Sequence, residues 1–166
     1  MARLVLVGLP GVGKTSVASA VAGRLGCESI DTDVSIADAV AMSAPDYLRE
    51  FGESEFRLRE LEALERAVAR DAIVSTGGGV VTTPEGRALL AIEHTVWLDS
   101  DDDVILARIV DEDRPLLARD PAAALARLRR ERANWYRDVS RARIDVADSI
   151  EVVTQRVIDE MEQVDS

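Results

Sequence analysis

Eight consecutive residues, Gly8-Leu9-Pro10-Gly11-Val12-Gly13-Lys14-Thr15, constrain this chain more than any other stretch. They fit the pattern G-x-x-x-x-G-K-[ST]. A β-branched apolar run, Arg3–Val7, precedes them. The segment Lys14–Leu25 follows, with Val17, Ala18, Val21, Ala22 and Leu25 at helical spacing. Glycines let the backbone curl until its N–H groups point inward around an anion, and a helix start adds positive partial charge. The stretch therefore predicts a strand–loop–helix unit that cradles nucleotide phosphates on Gly8 to Ser16. Lys14 would reach the β- and γ-phosphates of the nucleotide, and the Thr15 hydroxyl would ligate Mg²⁺.

Composition sharpens this expectation at one point. Of the 20 basic residues, Lys14 is the single lysine. A chain that otherwise uses arginine keeps lysine where a compact ammonium on a flexible stem is wanted and a planar guanidinium does not fit.

The remaining pattern alternates strands with helices. Glu28–Asp31, Ala72–Ser75, His94–Leu98 and Arg143–Val146 read as short strands. Between and after them, Val34–Met42, Pro45–Phe51, Glu53–Arg70, Pro84–Ala91, Asp101–Val110, Pro121–Val139 and Ile150–Val164 read as helices. With the first run, that makes five strands and no hairpin signal. The expected fold class is α/β: a single three-layer domain, residues 1–166, with a five-stranded parallel sheet flanked by helices.

Several function classes are disfavoured. A net charge of −11 argues against a nucleic-acid partner. One cysteine, Cys27, and one histidine, His94, leave no basis for a disulfide or a Cys/His metal cluster. No apolar run approaches membrane-spanning length, and the apolar run in Met1–Gly8 is too short for a signal-peptide core. The expected location is the cytoplasm. A small-molecule substrate and a monomer are the expected partner state.

Asp31-Thr32-Asp33 closes the second strand. Side chains at i and i+2 of a strand share a face, so both carboxylates are expected to enter the cleft beyond the strand ends. One would act near Mg²⁺ and one near an acceptor hydroxyl. Asp33 is equally suited to cap the following helix.

The chain resembles the shikimate kinase family, small P-loop kinases of nucleoside-monophosphate-kinase-like fold. The resemblance rests on Gly8–Thr15, Asp31-Thr32-Asp33, Glu55-Phe56-Arg57, Gly77-Gly78-Gly79, Arg114-Pro115-Leu116-Leu117, and Arg132 followed four residues later by Tyr136. These occur in the family's order and at nearly its spacing. The resemblance implies a P-loop NTPase-type fold and transfer of the γ-phosphate of ATP to the 3-hydroxyl of shikimate. It implies that Asp33 holds and activates that hydroxyl, and that Arg57 and Arg132 bind the substrate carboxylate. The backbone of Gly77, Gly78 and Gly79 would approach the ring. Arg114 would meet the transferred phosphate from a lid at about 111–120, and Asp31 would act on Mg²⁺ through water. Lys14, Asp33 and Arg114 are thus the expected catalytic residues, and helices within about 33–70 the substrate-binding ones.

The implied roles make physical sense. Guanidinium forks suit a carboxylate, and Glu60, one helical turn after Arg57, could orient it. Trp97, Trp135 and Tyr136 read as packing residues. The sequence departs from the family pattern at three places. Arg108 to Arg114 is one residue short, which leaves Arg108 as the candidate on the adenine side. Leu48 replaces an aromatic residue, and Asp145–Ile150 lacks a basic residue. A gluconate kinase is the nearest alternative. A guanine-nucleotide switch lacks its Asn-Lys-x-Asp motif here, since the single asparagine, Asn134, precedes Trp135. A non-catalytic nucleotide-binding module is the other non-enzyme alternative.

Overall fold

The computed structural model describes residues 1–109 and 119–164. The expected lid at about 111–120, including Arg114, lies almost wholly outside the described residues. Five strands form one all-parallel sheet: β1 (Leu4–Val7), β2 (Glu28–Asp31), β3 (Ala72–Ser75), β4 (Thr95–Asp99) and β5 (Ala142–Asp145), in the order β2-β3-β1-β4-β5. The helices are α1 (Lys14–Leu25), α2 (Thr32–Val40), α3 (Ala44–Phe51), α4 (Glu53–Val68), α5 (Pro84–Ile92), α6 (Asp102–Ile109), α7 (Pro121–Val139) and α8 (Ile150–Val164). One 3₁₀ turn, Val80–Thr82, follows β3. The architecture is the α/β sandwich that the alternation predicts. No helix among the described residues is long and apolar enough to cross a membrane.

The order of the strands follows from their side chains. Leu4, Val5, Leu6 and Val7 are all fully buried, so β1 takes the centre, between β3 and β4. A strand covered on both faces reads as a continuous apolar run. Each such Leu or Val contributes roughly 1.5–3 kcal/mol when fully buried. The strands with exposed or half-exposed positions, β2 and β5, lie at the two edges. Helices α1 and α8 pack together, α1 against β2 and β3 and α8 against β5. Helix α4 touches β3, and α7 touches β4.

Helices begin where short polar side chains can satisfy their first N–H groups. Ser43 caps α3, Thr83 caps α5 and Asp120 caps α7, each followed by a proline in the first turn. Helix α1 differs. It starts from Gly13, in the left-handed region at φ +96°, with no side-chain cap. Its leading N–H groups therefore face the loop rather than a side chain of their own helix.

Helices α2, α3 and α4 carry a second, smaller apolar cluster of Ile36, Tyr47, Phe56 and Ala63, with Leu48 packed at its margin. Leu48 thus serves this local cluster.

One element differs from its predicted bounds in a way that bears on function. The second helix begins at Thr32 rather than Val34, because the Asp31 carboxylate accepts the N–H groups of Asp33 (2.9 Å) and Val34 (3.2 Å). Asp31 is therefore both the end of β2 and the N-cap of α2. Asp33 stands in the first helical turn, so the strand-face argument for pairing the two carboxylates does not hold. The cap predicted for Asp33 belongs to Asp31.

Candidate active site

The loop between β1 and α1 turns on Gly8, Gly11 and Gly13, with φ of +153°, +85° and +96°. A side chain at Gly8 would strike the backbone carbonyl of Leu98 on β4, and one at Gly11 would strike Ile109. The loop thus lies flat against the ends of β4 and α6. Lys14 is buried at 8% exposure, and its Nζ donates to the carbonyls of Gly8 (2.9 Å) and Leu9 (3.0 Å). The ammonium spans the mouth of its own loop, where a phosphate chain carries its charge. Leu9 and Val12 are buried and anchor the loop to the core, whereas Ser16 is exposed.

Beside Lys14, the Thr15 hydroxyl donates to Asp31 Oδ2 at 2.6 Å and lies 3.4 Å from the Ser75 hydroxyl at the end of β3. Asp31 therefore divides its two oxygens, one on the α2 N-terminus and one on Thr15. This hydroxyl–carboxylate pair fits a hard cation that prefers oxygen ligands. No group of three or more His, Cys, Asp and Glu that could hold a metal occurs among the described residues. Magnesium bound through one or two protein oxygens and substrate phosphates needs no such cage.

The second half of the site gathers around Gly77-Gly78-Gly79 at the end of β3. A Cβ on Gly77 would come within 2.6 Å of Glu60 Oε1 and 2.8 Å of Asp33 Oδ1, so both carboxylates lie against this residue. A Cβ on Gly78 would come within 3.1 Å of Pro10 and 3.3 Å of the Gly8 carbonyl. The glycine turn thus abuts the phosphate loop. A Cβ on Gly79 would overlap the Arg57 guanidinium. Only residues without side chains let these groups converge.

Arg57 is largely buried, its side chain 14% exposed, and is not the solvated helix charge that its exposed-looking position allowed. It pairs with Glu60 on one side and with Glu53 at 3.3 Å on the other. Burial works against its charge, but Glu60 and Glu53 outweigh it, so the guanidinium stays protonated. Burial pushes the Glu60 carboxyl above the usual range, while Arg57 and Arg132 pull it back and Asp33 pushes it further. Arg132 on α7 is itself 6% exposed. The Nε atoms of Arg57 and Arg132 are both buried without a hydrogen-bond partner among the described residues. Two guanidinium groups beside a buried carboxylate and Asp33 make a site suited to a small acid that carries hydroxyls.

The structure thus brings Lys14, Thr15 and Asp31 into one cluster and Asp33, Arg57, Arg132 and the glycine turn into an adjoining one. Arg108, the candidate on the adenine side, donates to the carbonyls of Val12 (3.1 Å) and Val146, tying the phosphate loop to the loop after β5.

Three groups escaped the sequence reading. Tyr136 is fully buried and donates its hydroxyl to the Gly78 carbonyl, so it is more than a packing residue. Its spacing of four from Arg132 on α7 was the available signal. Thr32 accepts the Gly77 N–H at 3.1 Å. Arg129 bridges Asp99 (2.9 Å), Asp102 (2.7 Å) and the Ser100 carbonyl (2.7 Å), and so ties β4 and α6 to α7. Nothing in the run of arginines from Arg127 to Arg132 distinguished it.

A Gly79→Ala variant tests the turn. Its backbone, at φ −91° and ψ 0°, accepts alanine without strain, so the fold persists. The added methyl displaces Arg57, which is tied down by two glutamates and has little room to yield. The expected result is a lowered melting temperature, because displacing Arg57 disturbs its pair with buried Glu60, together with affinity for a carboxylate-bearing substrate weakened about tenfold or more. Isothermal titration with the acid checks it.

Comparison with known proteins identifies the family. The profile of the family described as shikimate kinase matches residues 10–162. A shikimate kinase of Streptomyces avermitilis is 37% identical over 96% of this chain and 95% of its own. A shikimate kinase from Acinetobacter baumannii, solved in complex with shikimate, superposes with a TM-score of 0.90 at 31% identity, over 96% of this chain and 92% of that one. A gluconokinase from Sinorhizobium meliloti superposes with a TM-score of 0.66 at 19% identity, over 97% of this chain and 91% of its own, and shares the fold alone.

Proposed function

Because the chain belongs to the shikimate kinase family, we infer that it is an ATP-dependent kinase acting on shikimate, and we propose the following roles for its residues. The observation that carries the assignment is the pair of guanidiniums, the buried Arg132 and the largely buried Arg57, beside Asp33 at a glycine turn that touches the phosphate loop.

The triphosphate of ATP lies on the backbone of Gly8 to Ser16 and the N-terminus of α1. Lys14 gives up part of its bonding to the Gly8 and Leu9 carbonyls for the β- and γ-phosphates. Its charge offsets the negative charge spread over the equatorial oxygens during transfer. Arg114 supplies a second positive charge to the transferred phosphate. Thr15 would hold Mg²⁺ directly, and Asp31, which accepts the Thr15 proton, would act on it through water. Held there, such an ion would supply positive charge to offset the negative charge of the phosphates.

Shikimate's carboxylate is gripped by Arg57 and Arg132, with the Gly77–Gly79 backbone close to its ring. Asp33 accepts a hydrogen bond from the 3-hydroxyl, which both orients that oxygen for in-line attack and takes its proton as the bond to phosphorus forms. Glu60 has no direct role in transfer and keeps Arg57 in place. We read α2, α3 and α4 as the substrate-binding unit. We propose that the enzyme works as a monomer in the cytoplasm.

A coupled assay of ADP release tests the function. Shikimate with ATP and magnesium is expected to give rapid release, and gluconate, which also carries a carboxylate and hydroxyls, none above background. Release with gluconate alone would overturn the assignment of the acceptor.

A further inference from the structure

The Gly77–Gly79 turn carries no side chain with which to hold its own shape, yet it borders both halves of the site. It is held from outside. Thr32 on α2 takes the Gly77 N–H at 3.1 Å. From α7, the Tyr136 hydroxyl donates to the Gly78 carbonyl. Downstream, the Gly79 carbonyl is taken by the Thr82 N–H (2.9 Å) and hydroxyl (2.7 Å).

Tyr136 is fixed before it reaches the turn. Its ring is fully buried and stacks on Trp97 of β4, with centroids 6.0 Å apart. The peptide plane supplies the consequence. The Gly78 carbonyl and the Gly79 N–H belong to one trans peptide and point in opposite directions. Holding the carbonyl toward Tyr136 fixes the Gly79 N–H on the opposite side. A Cβ on Gly79 would meet Arg57, and one on Gly78 would meet the phosphate loop, so the turn has little room to drift.

We propose that Tyr136 is a positioning residue of the acceptor subsite, its hydroxyl setting the Gly78–Gly79 peptide so that the Gly79 N–H serves as a fixed donor to the acceptor molecule. The inference rests on the kinase reading above and adds a residue to it. Thr32 steadies the turn from the opposite helix in a different way, by accepting the Gly77 N–H. Burial pushes the Tyr136 phenol up to about 12, with Arg132 opposing, so the hydroxyl keeps the proton it donates throughout the working range.

Tyr136→Phe keeps the ring and its stacking and removes the hydroxyl, which is both the donor to the Gly78 carbonyl and an acceptor facing Arg132. The expected result is a KM for shikimate raised about 5- to 50-fold, with KM for ATP within about twofold of the parent. Thr32→Val loosens the same turn without removing a neighbour of Arg132, so it is expected to shift the same parameter in the same direction; a rise with Tyr136→Phe and none with Thr32→Val would assign the effect to Arg132 and overturn the proposal. Val139→Ala, a packing change on the same helix, controls for loosening of α7. It should lower the melting temperature without moving KM for shikimate. A Tyr136→Phe enzyme with the parental KM, or a Val139→Ala enzyme with the same rise in KM, would overturn the proposal while the kinase reading stands. Absence of shikimate-dependent turnover in the parent protein would instead remove the kinase reading itself.

Discussion

Lys14→Met eliminates turnover while the chain stays folded. The expected fall in kcat is at least about 10³-fold, since a positive charge aimed at a transferring phosphoryl group is worth that much or more. Methionine keeps an unbranched apolar stem similar to lysine's and lacks the ammonium. That ammonium also bonds the Gly8 and Leu9 carbonyls, so the variant loses stability as well, by about 1–3 kcal/mol for buried acceptors left without a donor. The two effects separate cleanly. Circular dichroism and a melting curve report the second, and ADP release at saturating shikimate and ATP reports the first. Surviving turnover would mean that the phosphate chain does not lie on this loop.

Arg132→Ala produces the second large effect, and on a different substrate. Truncating one member of a buried charged contact costs about 2–5 kcal/mol, equivalent to a loss of affinity of roughly 30- to 5,000-fold. The loss falls on shikimate, whose carboxylate Arg132 holds with Arg57. ATP binding, carried by the loop and Lys14, is expected to change by less than about threefold, the scale of a contact not directly involved. Calorimetric titration of each ligand alone makes the comparison. Equal weakening of both would contradict the division of the site into two clusters. Loss of Arg132 also removes one of the cations that favour the ionised Glu60, so Glu60 titrates higher still. The partner that steadies Arg57 is then neutralised sooner as pH falls, and the defect deepens toward acid.

The phosphate loop was legible because its chemistry is local. Glycines, one lysine and a hydroxyl at fixed spacing dictate a backbone shape that needs no distant partner to be recognised. The parallel sheet was legible for a related reason, since fully apolar runs such as Leu4–Val7 admit only a strand covered on both faces. The resemblance, rather than periodicity, pointed to Arg57 and Arg132. Taken alone, neither could be told from a solvated arginine, because burial is decided by what packs across from a helix. The start of α2 was misplaced by two residues through a local ambiguity, in which Asp31 and Asp33 can both cap a helix. Asp31 wins because its backbone is extended, at φ −102° and ψ 121°, as an N-cap requires. Tyr136 was underestimated because a buried aromatic usually packs, and only the position of Gly78, 58 residues away, shows that its hydroxyl has a second task.

The burial of Lys14 has a practical consequence. It is the only side-chain amine among 166 residues, so any acylating or reductively methylating reagent aimed at side-chain amines can label one position only. That position is 8% exposed and tied to two carbonyls, which makes labelling slow until the loop opens. The rate of adduct formation, read by mass spectrometry, therefore becomes a clock for breathing of the nucleotide cradle, with no need to engineer a reporter into the chain.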